Sequence, residues 1–328
     1  MAEPLRRRVR KRVIDALSAA TTVGDPVVGA LLRGASEMLR WSRYERVARA
    51  NLTRAFGAEL SEAQRARIAR GVRLHSARIV HEWLRMARAS RSPTERERIQ
   101  RWIEGAVELD PSCARLDELM RGGRGLLIVT AHIGNWELLA AALRRRGLDG
   151  AVVGLRKRAD PSSDWLVTMR AGLGVQSLAQ DDSPRAMLTL LRRGRTLGIL
   201  CDLEVKRLAG EFVPFFGRPA LTMTAPAALA RASGLPLVPL RCVRRGTRYV
   251  LSVDEPLELR ATSDRRADAV ELLARMNATF ERWIRETPEQ WAWHQPRWSV
   301  TPDGPAALDP ALARTPLHAR RKLKADSP

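Results

Sequence analysis

Several residues that define common classes of protein are scarce in this chain of 328 residues. It contains only three cysteines, Cys113, Cys201 and Cys242, and no CxxC pair. So few and dispersed cysteines exclude a disulfide framework and indicate a reducing compartment. Two Tyr and five Phe leave few platforms for stacking on bases, and no DNA- or RNA-binding motif is recognisable. We therefore expect no nucleic-acid partner.

Nucleotide and metal motifs are missing as well. The chain has no P-loop and no glycine-rich nucleotide fingerprint, because the glycine cluster at residues 122–125 precedes an apolar run instead of following one. The histidines other than His132 show no spacing typical of metal ligands. The sequence therefore predicts no cofactor and no metal, and a metal hydrolase stays only as a minor alternative.

Long uninterrupted apolar runs are also missing. The apolar stretch that begins at Val13 is broken by Asp15 and is too polar for a spanning helix of about 20 apolar residues. Residues 1–40 instead resemble a basic segment lying on an anionic membrane surface. One side of this segment is apolar: Val9, Val13, Ile14 and Leu17. A basic segment that is simply solvated fits the same residues, and the sequence leaves both possibilities open.

Positive charge is what the chain has in excess. The 57 Lys and Arg residues outnumber the 36 Asp and Glu residues and give a formal net charge of +21. Such a protein attracts anions. Nucleic acid, an anionic membrane, a phosphorylated glycolipid and an acidic carrier protein all meet that demand, so the charge alone does not choose among them.

The periodicity of apolar residues divides the chain into a helical part and a mixed part. Apolar residues recur at helical spacing from 43 to 89, with Ser61 as a helix cap. Beyond residue 120, short strands alternate with helices, which predicts a largely parallel sheet covered on both faces. The expected strands are residues 125–131, 151–155, 196–202, 235–243 and 249–253. The expected helices are residues 136–146, 163–173, 184–193, 224–233 and 268–286.

The fold class is therefore α/β, with a central sheet flanked by helices and an N-terminal helical extension. We expect the basic membrane-surface segment at 1–40 and one domain at 41–298. This domain contains a helical layer at 41–120 and an α/β core at 121–298. Residues 299–328 are rich in Pro, Ala and basic residues and show no sustained period, which predicts a mobile basic tail.

The most informative segment is a strand, a turn and a helix around His132. His132 follows an apolar strand, at the sheet edge where ligands of α/β proteins bind. Asn135 is a good N-cap, which places Glu137 in the first helical turn. With His132 outside the helix, the loop can fold the imidazole back onto Glu137. A carboxylate that orients one ring nitrogen leaves the other as a general base. Since this pair lacks a protein nucleophile, the attacking oxygen would come from the substrate.

Residues 132–137, His-Ile-Gly-Asn-Trp-Glu, resemble the His-x4-Asp/Glu motif of glycerolipid acyltransferases, and in particular the lipid A biosynthesis acyltransferase family. Three further blocks are similar to that family: residues 51–56, residues 211–217, and residues 288–293 with Arg297 and Trp298. The matches span roughly residues 43–298 in the family's order, which chance agreement does not explain.

The resemblance implies a glycerolipid acyltransferase-like fold and a cytosol-facing position on the inner membrane, peripheral or monotopic. It implies transfer of a fatty acyl chain from acyl carrier protein or acyl-CoA to a hydroxyl of an anionic glycolipid. A lipid A precursor is the first candidate acceptor, and phosphatidylinositol mannoside or another phospholipid is the alternative. An inactive membrane-surface or nucleic-acid binding protein on the same fold is the alternative from a different class.

The resemblance also assigns binding residues. It implies that Arg156 and Arg170 hold a phosphate or the carrier's phosphopantetheine. Asp202 and Glu204 look like the two acids of the family's Asp-Gln-Asp block, although Leu203 replaces the amide. Asp202 is also expected at the sheet edge near His132, because it ends a predicted strand.

Two further groups complete the expected site. Phe215 and Phe216 are expected to line an apolar acyl groove. The backbone amides of residues 133–135, including Asn135, are expected to face an oxyanion at a helix N-terminus. In the C-terminal block, Gln295 stands at the family's usual histidine position, with His294 one place earlier.

Overall fold

Helices make up the first third of the molecule. The computed structural model describes residues 5–22, 24–154, 161–180 and 182–305. Its first five helices are α1 (Leu5–Ala20), α2 (Asp25–Met38), α3 (Arg43–Phe56), α4 (Glu62–Met86) and α5 (Pro93–Ala106). The expected cap of α4 is confirmed: the Ser61 hydroxyl accepts from the Gln64 amide, and the Gln64 side chain accepts from the Ser61 amide.

Strands and helices alternate in the remainder. The helices are α6 (Cys113–Arg121), α7 (Trp136–Arg145), α8 (Pro161–Gly172), α9 (Pro184–Arg192), α10 (Ala225–Ser233) and α11 (Arg265–Glu286). The strands are β1 (Val107–Leu109), β2 (Leu126–Thr130), β3 (Gly150–Gly154), β4 (Gln176–Ala179), β5 (Thr196–Leu200), β6 (Gly210–Phe215), β7 (Arg218–Met223), β8 (Leu237–Arg245), β9 (Arg248–Val253), β10 (Val300–Thr301) and β11 (Gly304–Pro305). All five expected strands and all five expected helices of the mixed part are confirmed within a few residues.

Seven strands form one sheet in the order β1-β9-β8-β2-β5-β3-β4. Neighbouring strands run parallel except β8 and β9, which are antiparallel. The α/β fold class with a mostly parallel sheet is therefore confirmed. Strands β1 and β4, which form the two edges, were not expected from the sequence because they are short and partly exposed.

Strand β2 lies at the centre of the sheet and is buried along its whole length. Leu127 and Val129 belong to the core on one face of the sheet, and Leu126 and Ile128 to the core on the other. This alternation follows from the two-residue repeat of a strand, and a strand covered on both faces is apolar on both. The end of β2 is thus held rigidly where the next residues begin.

The N-terminal segment contains α1, but the described residues contain no helix that is both long and apolar enough to cross a membrane. Val13 is 50% exposed, whereas Ile14 and Leu17 are partly buried. The side chain of Val9 lies outside the described residues. The Ser18 hydroxyl donates to the Leu84 carbonyl, so this helix is attached to α4.

The C-terminal segment differs from the expected tail at its beginning. Strands β10 and β11 form a short hairpin, and the Ser299 amide and hydroxyl both donate to Glu204. A mobile tail from residue 299 was expected because two-residue strands leave no periodic signal in the sequence. Residues 306–328 lie outside the described residues.

Asn51 on α3 joins the helical layer to the C-terminal segment. Its side-chain amide donates to the carbonyls of Trp293 and Gln295, at 3.0 and 2.8 Å. We predict that Asn51→Ala lowers the free energy of unfolding by about 1–3 kcal/mol, because buried carbonyls lose their donors. Chemical denaturation measures this loss. Thr53→Ala, at an exposed position of the same helix, should change stability by no more than about 0.5 kcal/mol. Equal losses in the two variants would contradict the bridging role.

Candidate active site

The ends of β2 and β5 bring two residues of the expected site together. The strands pair in parallel from Leu126 with Thr196 to Thr130 with Leu200, and the Cys201 amide extends the ladder to the Thr130 carbonyl. Both chains then leave the sheet at its carboxyl edge. His132 and Asp202 each come two residues after the last paired residue of their strand, and the structure places Asp202 near His132 as expected.

Asp202 holds His132 at two points. Its Oδ1 lies 2.8 Å from the imidazole Nδ1, and its Oδ2 accepts from the His132 amide at 2.8 Å. The Trp291 indole also donates to Oδ2, at 2.7 Å. Burial opposes ionisation of Asp202, but the attraction of His132 and the hydrogen bonds of His132 and Trp291 outweigh it and lower the pKa of Asp202. An ionised Asp202 accepts a proton-bearing Nδ1, which leaves Nε2 as the basic nitrogen of the neutral ring.

Glu137 has a different partner from the one expected. Its two carboxylate oxygens accept from Arg170 Nε and Nη2, at 2.8 and 2.6 Å, in a bidentate ion pair. The prediction that Glu137 orients the His132 ring was therefore wrong as to the contact. Glu137 lies in the first turn of α7 and meets Arg170 of α8, while a carboxylate from the neighbouring strand occupies the place beside the imidazole.

The turn after His132 is fixed by its backbone. The Gly134 amide donates to the Gln290 carbonyl and the Asn135 amide to the Cys242 carbonyl, at 3.1 and 2.9 Å. The imidazole of His75 lies 3.1 Å from the Gly134 carbonyl and donates to it as a neutral ring. The expected oxyanion site therefore loses two of its three amides, because both are already bonded within the protein.

The side chain of Asn135 is fully buried beneath the turn. It caps α7 as expected, since its Oδ1 accepts from the Leu138 amide at 3.1 Å. The same oxygen accepts from the Trp83 indole, and Nδ2 donates to Glu82. Asn135 lines no part of the cavity beside His132, so the structure places it under the loop and not at the expected substrate position.

A cavity of about 600 Å³ lies beside His132, within the size range of small-molecule sites. His132, Glu137, Arg170 and Glu204 contribute to its walls, and the His132 side chain is 27% exposed. The apolar part of the wall comes from β3, β4, α8, the end of β5 and the segment after it, and includes Val153, Leu166, Leu178, Leu200 and Leu203. Lys206 and Arg207 lie at the same cavity. It therefore combines an apolar wall with basic side chains.

Phe215 and Phe216 lie elsewhere. Phe215 packs against Trp291 and Trp298, with ring centroids 5.8 Å apart in both pairs, and Phe216 packs against Phe56 at 5.3 Å. Both rings are buried in this aromatic core and neither lines the cavity. The expected acyl groove at these residues was therefore wrong, because the hairpin of β6 and β7 turns the two rings into the core.

Glu204 and Arg156 are the remaining residues of the expected substrate-binding site. Glu204 lines the cavity, but its carboxylate accepts from Ser299 and the Val300 amide, so it holds the C-terminal segment. Lys206 lies 3.6 Å from the same carboxylate. Arg156 lies outside the described residues.

Sequence reasoning assigned no place at the site to three residues, of which only Gln295 was named individually. Trp136 packs edge-on against the His132 ring, with centroids 5.0 Å apart, and lines the cavity. Trp291 donates to Asp202, and Gln295 forms part of the cavity wall. Trp136 lies within the His-x4-Glu segment and Trp291 within the C-terminal block, so both were in segments singled out from the sequence. Their contacts are not visible in the spacing.

Comparison with known proteins agrees with the family resemblance seen in the sequence. Residues 13–300 match the sequence model of a family described as bacterial lipid A biosynthesis acyltransferase. The lipid A biosynthesis lauroyltransferase of Escherichia coli (strain K12) is 30% identical over 211 residues, 63% of this chain and 65% of that protein. The phosphatidylinositol mannoside acyltransferase of Mycobacterium tuberculosis (strain CDC 1551 / Oshkosh) is 26% identical over 189 residues, 56% of this chain and 57% of that protein. Each alignment thus covers less than two thirds of the relative.

The tight turn at Gly134 gives a stability prediction. Gly134 has φ +59°, and a Cβ there would lie 2.0 Å from the Cys242 carbonyl oxygen. Gly246 has the same φ but open space around it. Both Gly→Ala changes carry the left-handed penalty of roughly 1–2 kcal/mol. Gly134→Ala adds a clash of about 1–3 kcal/mol. Thermal and denaturant unfolding should show this difference, and equal losses would contradict the close approach.

His75 makes stability depend on pH. Burial lowers the pKa of His75 to about 4, below the roughly 6.5 of an unfolded histidine. The unfolded chain therefore binds more protons between these values, and the stability present above pH 6.5 is lost as pH falls toward 4. We predict that His75→Gln flattens this dependence by on the order of 1 kcal/mol per pH unit. Urea unfolding at pH 4.5, 5.5 and 7.5 measures it, and an unchanged slope would refute it.

Proposed function

Because the chain belongs to the bacterial lipid A biosynthesis acyltransferase family, we propose that it transfers a fatty acyl group from an acyl thioester to a hydroxyl of an anionic glycolipid. The observation that carries this proposal is the His132 ring, which is anchored by a buried carboxylate at 2.8 Å and borders a cavity of about 600 Å³. This arrangement suits a base that acts on a substrate hydroxyl.

His132 is the general base in this mechanism. Its Nε2 removes the proton of the acceptor hydroxyl as the oxygen attacks the thioester carbonyl carbon. The new C–O bond forms, the C–S bond breaks, and the leaving thiolate takes the proton back from the imidazolium. Asp202 is the positioning residue, because its carboxylate fixes the ring and stabilises the positive charge that the ring carries between the two proton transfers.

Glu137 acts through Arg170 in this proposal. The bidentate pair fixes the guanidinium against the cavity wall, and Arg170 Nη1 lies 3.5 Å from the Ser177 hydroxyl. Among the residues that the structure describes, this nitrogen has only that long hydrogen-bond contact, so it can donate to an oxygen of the bound substrate. Arg170 is then the binding residue, and Glu137 is the residue that positions it.

The positive charge of the protein suits both the acyl donor and the lipid acceptor. Acyl carrier protein and coenzyme A are anionic, and so are phosphorylated glycolipids, while the chain carries +21 and places Lys206 and Arg207 at the cavity. A lipid A precursor is the first acceptor, and a phosphatidylinositol mannoside is the alternative, since relatives with both names match. We place the protein peripherally on the cytoplasmic face of the inner membrane, where donor and acceptor meet.

Acyl-transfer assays can test the different roles proposed for Asp202 and Glu137. We predict that His132→Ala and Asp202→Asn lower kcat by about 10²–10⁴-fold, because the base or its orientation is lost. Glu137→Gln should raise KM more than it lowers kcat, because it loosens Arg170. Labelled acyl carrier protein and acyl-CoA are each incubated with lipid A precursor or phosphatidylinositol mannoside, and mass spectrometry of the lipid product gives the rates.

Arg170→Gln is the matched comparison for the Glu137 variant. If the two residues act as one unit, the single variants should behave alike, and the double variant should be no worse than either. Full activity of His132→Ala would reject His132 as the base. A kcat loss in Glu137→Gln equal to that in His132→Ala, with Asp202→Asn active, would make Glu137 the orienting acid.

A further inference from the structure

A second pocket, of about 360 Å³, lies among the N-terminal helices. Helices α2, α3 and α4 form its walls, chiefly through the apolar residues Leu32, Ala48, Val72, Ala77 and Val80. With about 30 Å³ for a group the size of a water molecule, it has room for roughly ten methylene groups. No residue described so far as part of the His132 site lines it, so it is a separate feature of the fold.

The charged groups on its walls neutralise one another. Glu45 and Arg73 form an ion pair, and Arg73 also lies 3.2 Å from Glu37. The hydroxyls of Ser36 and Ser76 donate to the carbonyls of Arg33 and Val72, both at 2.7 Å. These groups offer a polar ligand little, because Glu45, Ser36 and Ser76 bond within the protein, and Arg73 keeps only a buried Nε without a partner among the described residues. The pocket therefore suits an apolar ligand.

Two adjacent residues of the C-terminal segment line this pocket and the cavity of His132, one residue for each. His294 lines the apolar pocket, and its neighbour Gln295 lines the larger cavity. The ring of Tyr44 packs edge-on against His294, with centroids 5.9 Å apart, and closes the wall on that side. Asn51 fixes the segment by bonding to the Gln295 carbonyl at 2.8 Å. A ligand in the apolar pocket would thus contact the residue next to the one that lines the cavity of His132.

Exposed apolar side chains lie on the same chain segments as the residues that line the pocket. We call this set the apolar rim: Leu31, Met38, Leu39, Trp41, Tyr44 and Val80. Arginines alternate with it, and the guanidinium of Arg40 lies 3.7 Å above the Trp41 ring. Aromatic and aliphatic side chains interleaved with arginines are typical of surfaces at the boundary between lipid headgroups and acyl chains. The charge of the arginines complements an anionic bilayer.

We propose that the apolar pocket holds an alkyl chain of the membrane-borne acceptor lipid, while the larger cavity holds the acyl thioester. This rests on the proposed function. The acceptor suits this pocket because the apolar rim lies beside it. An apolar rim suits contact with the bilayer, in which the acceptor resides. A thioester donor from solution instead meets the basic side chains Lys206 and Arg207 at the other cavity. The two substrates then approach His132 from opposite sides of the His294–Gln295 wall.

Photolabelling tests the occupant without requiring catalysis. Anionic phosphatidylglycerol vesicles containing a phospholipid with a diazirine near the end of one acyl chain are irradiated with the full protein, and peptides are mapped by mass spectrometry. Label is expected in α2, α3 and α4 at the pocket. A diazirine-bearing acyl-CoA should instead label the larger cavity, at residues such as Val153 and Leu178. Phospholipid label confined to surfaces outside the pocket, no label, or acyl-CoA label inside the pocket would each overturn the proposal.

Two matched variants separate the pocket from the surrounding surface. Val80 lines the pocket mouth, whereas Val27 on α2 does not, and both are exposed, so neither change should unfold the protein. Val80→Asp should reduce pocket labelling at least fivefold per vesicle-bound protein, while Val27→Asp leaves it unchanged. Equal labelling in the two variants would reject the pocket. Because labelling needs no turnover, a failure to label the pocket leaves the proposed acyl transfer standing. Protein that labels the pocket but transfers no acyl group would instead contradict the proposed function and leave the pocket assignment standing.

Discussion

The parallel pairing of β2 with β5 is the constraint on which the site depends. The register that joins Thr130 to Leu200 sends both chains out of the sheet at the same edge, and His132 and Asp202 meet within hydrogen-bond distance. Burying a carboxylate is costly unless donors replace its water. Asp202 receives the His132 amide, the His132 ring and the Trp291 indole. The sheet therefore fixes the geometry and also stabilises the charge on which that geometry relies.

The C-terminal segment completes what the sheet begins. Trp291 pairs across an isolated bridge with Ile133, and its indole reaches Asp202. The neighbouring Gln290 accepts from the Gly134 amide through its carbonyl and bonds the backbone of Arg244 through its side chain. Residues separated by more than 150 positions thus hold one turn of the chain. A loop clamped in this way keeps its donors and acceptors aimed at a fixed point, which a preorganised site requires.

The sequence was enough to predict the parallel sheet, its central strands, the caps of α4 and α7 and the approach of Asp202 to His132. It could not predict which acid binds the imidazole, because it placed both Glu137 and Asp202 near His132 and spacing along the chain does not show which of two nearby carboxylates makes the contact. The pairing of Glu137 with Arg170 was hidden for the same reason. The hairpin of β6 and β7 was missed because Pro214 and Pro219 read as strand breakers and because its turn places Phe216, a bulky residue, at φ +52°.

Both carboxylates are paired, Asp202 with His132 and Glu137 with Arg170, so negative and positive groups balance at the site although the protein as a whole is strongly basic. Glu137 and His132 line the same cavity, so an unpaired Glu137 would add a second negative charge near the His132–Asp202 pair. Arg170 neutralises Glu137 through a bidentate contact at 2.6 and 2.8 Å, and Asp202 is the acid that contacts the ring. Positive charge also lies outside the His132–Asp202 and Glu137–Arg170 pairs, on exposed side chains such as Lys206, where it attracts anions.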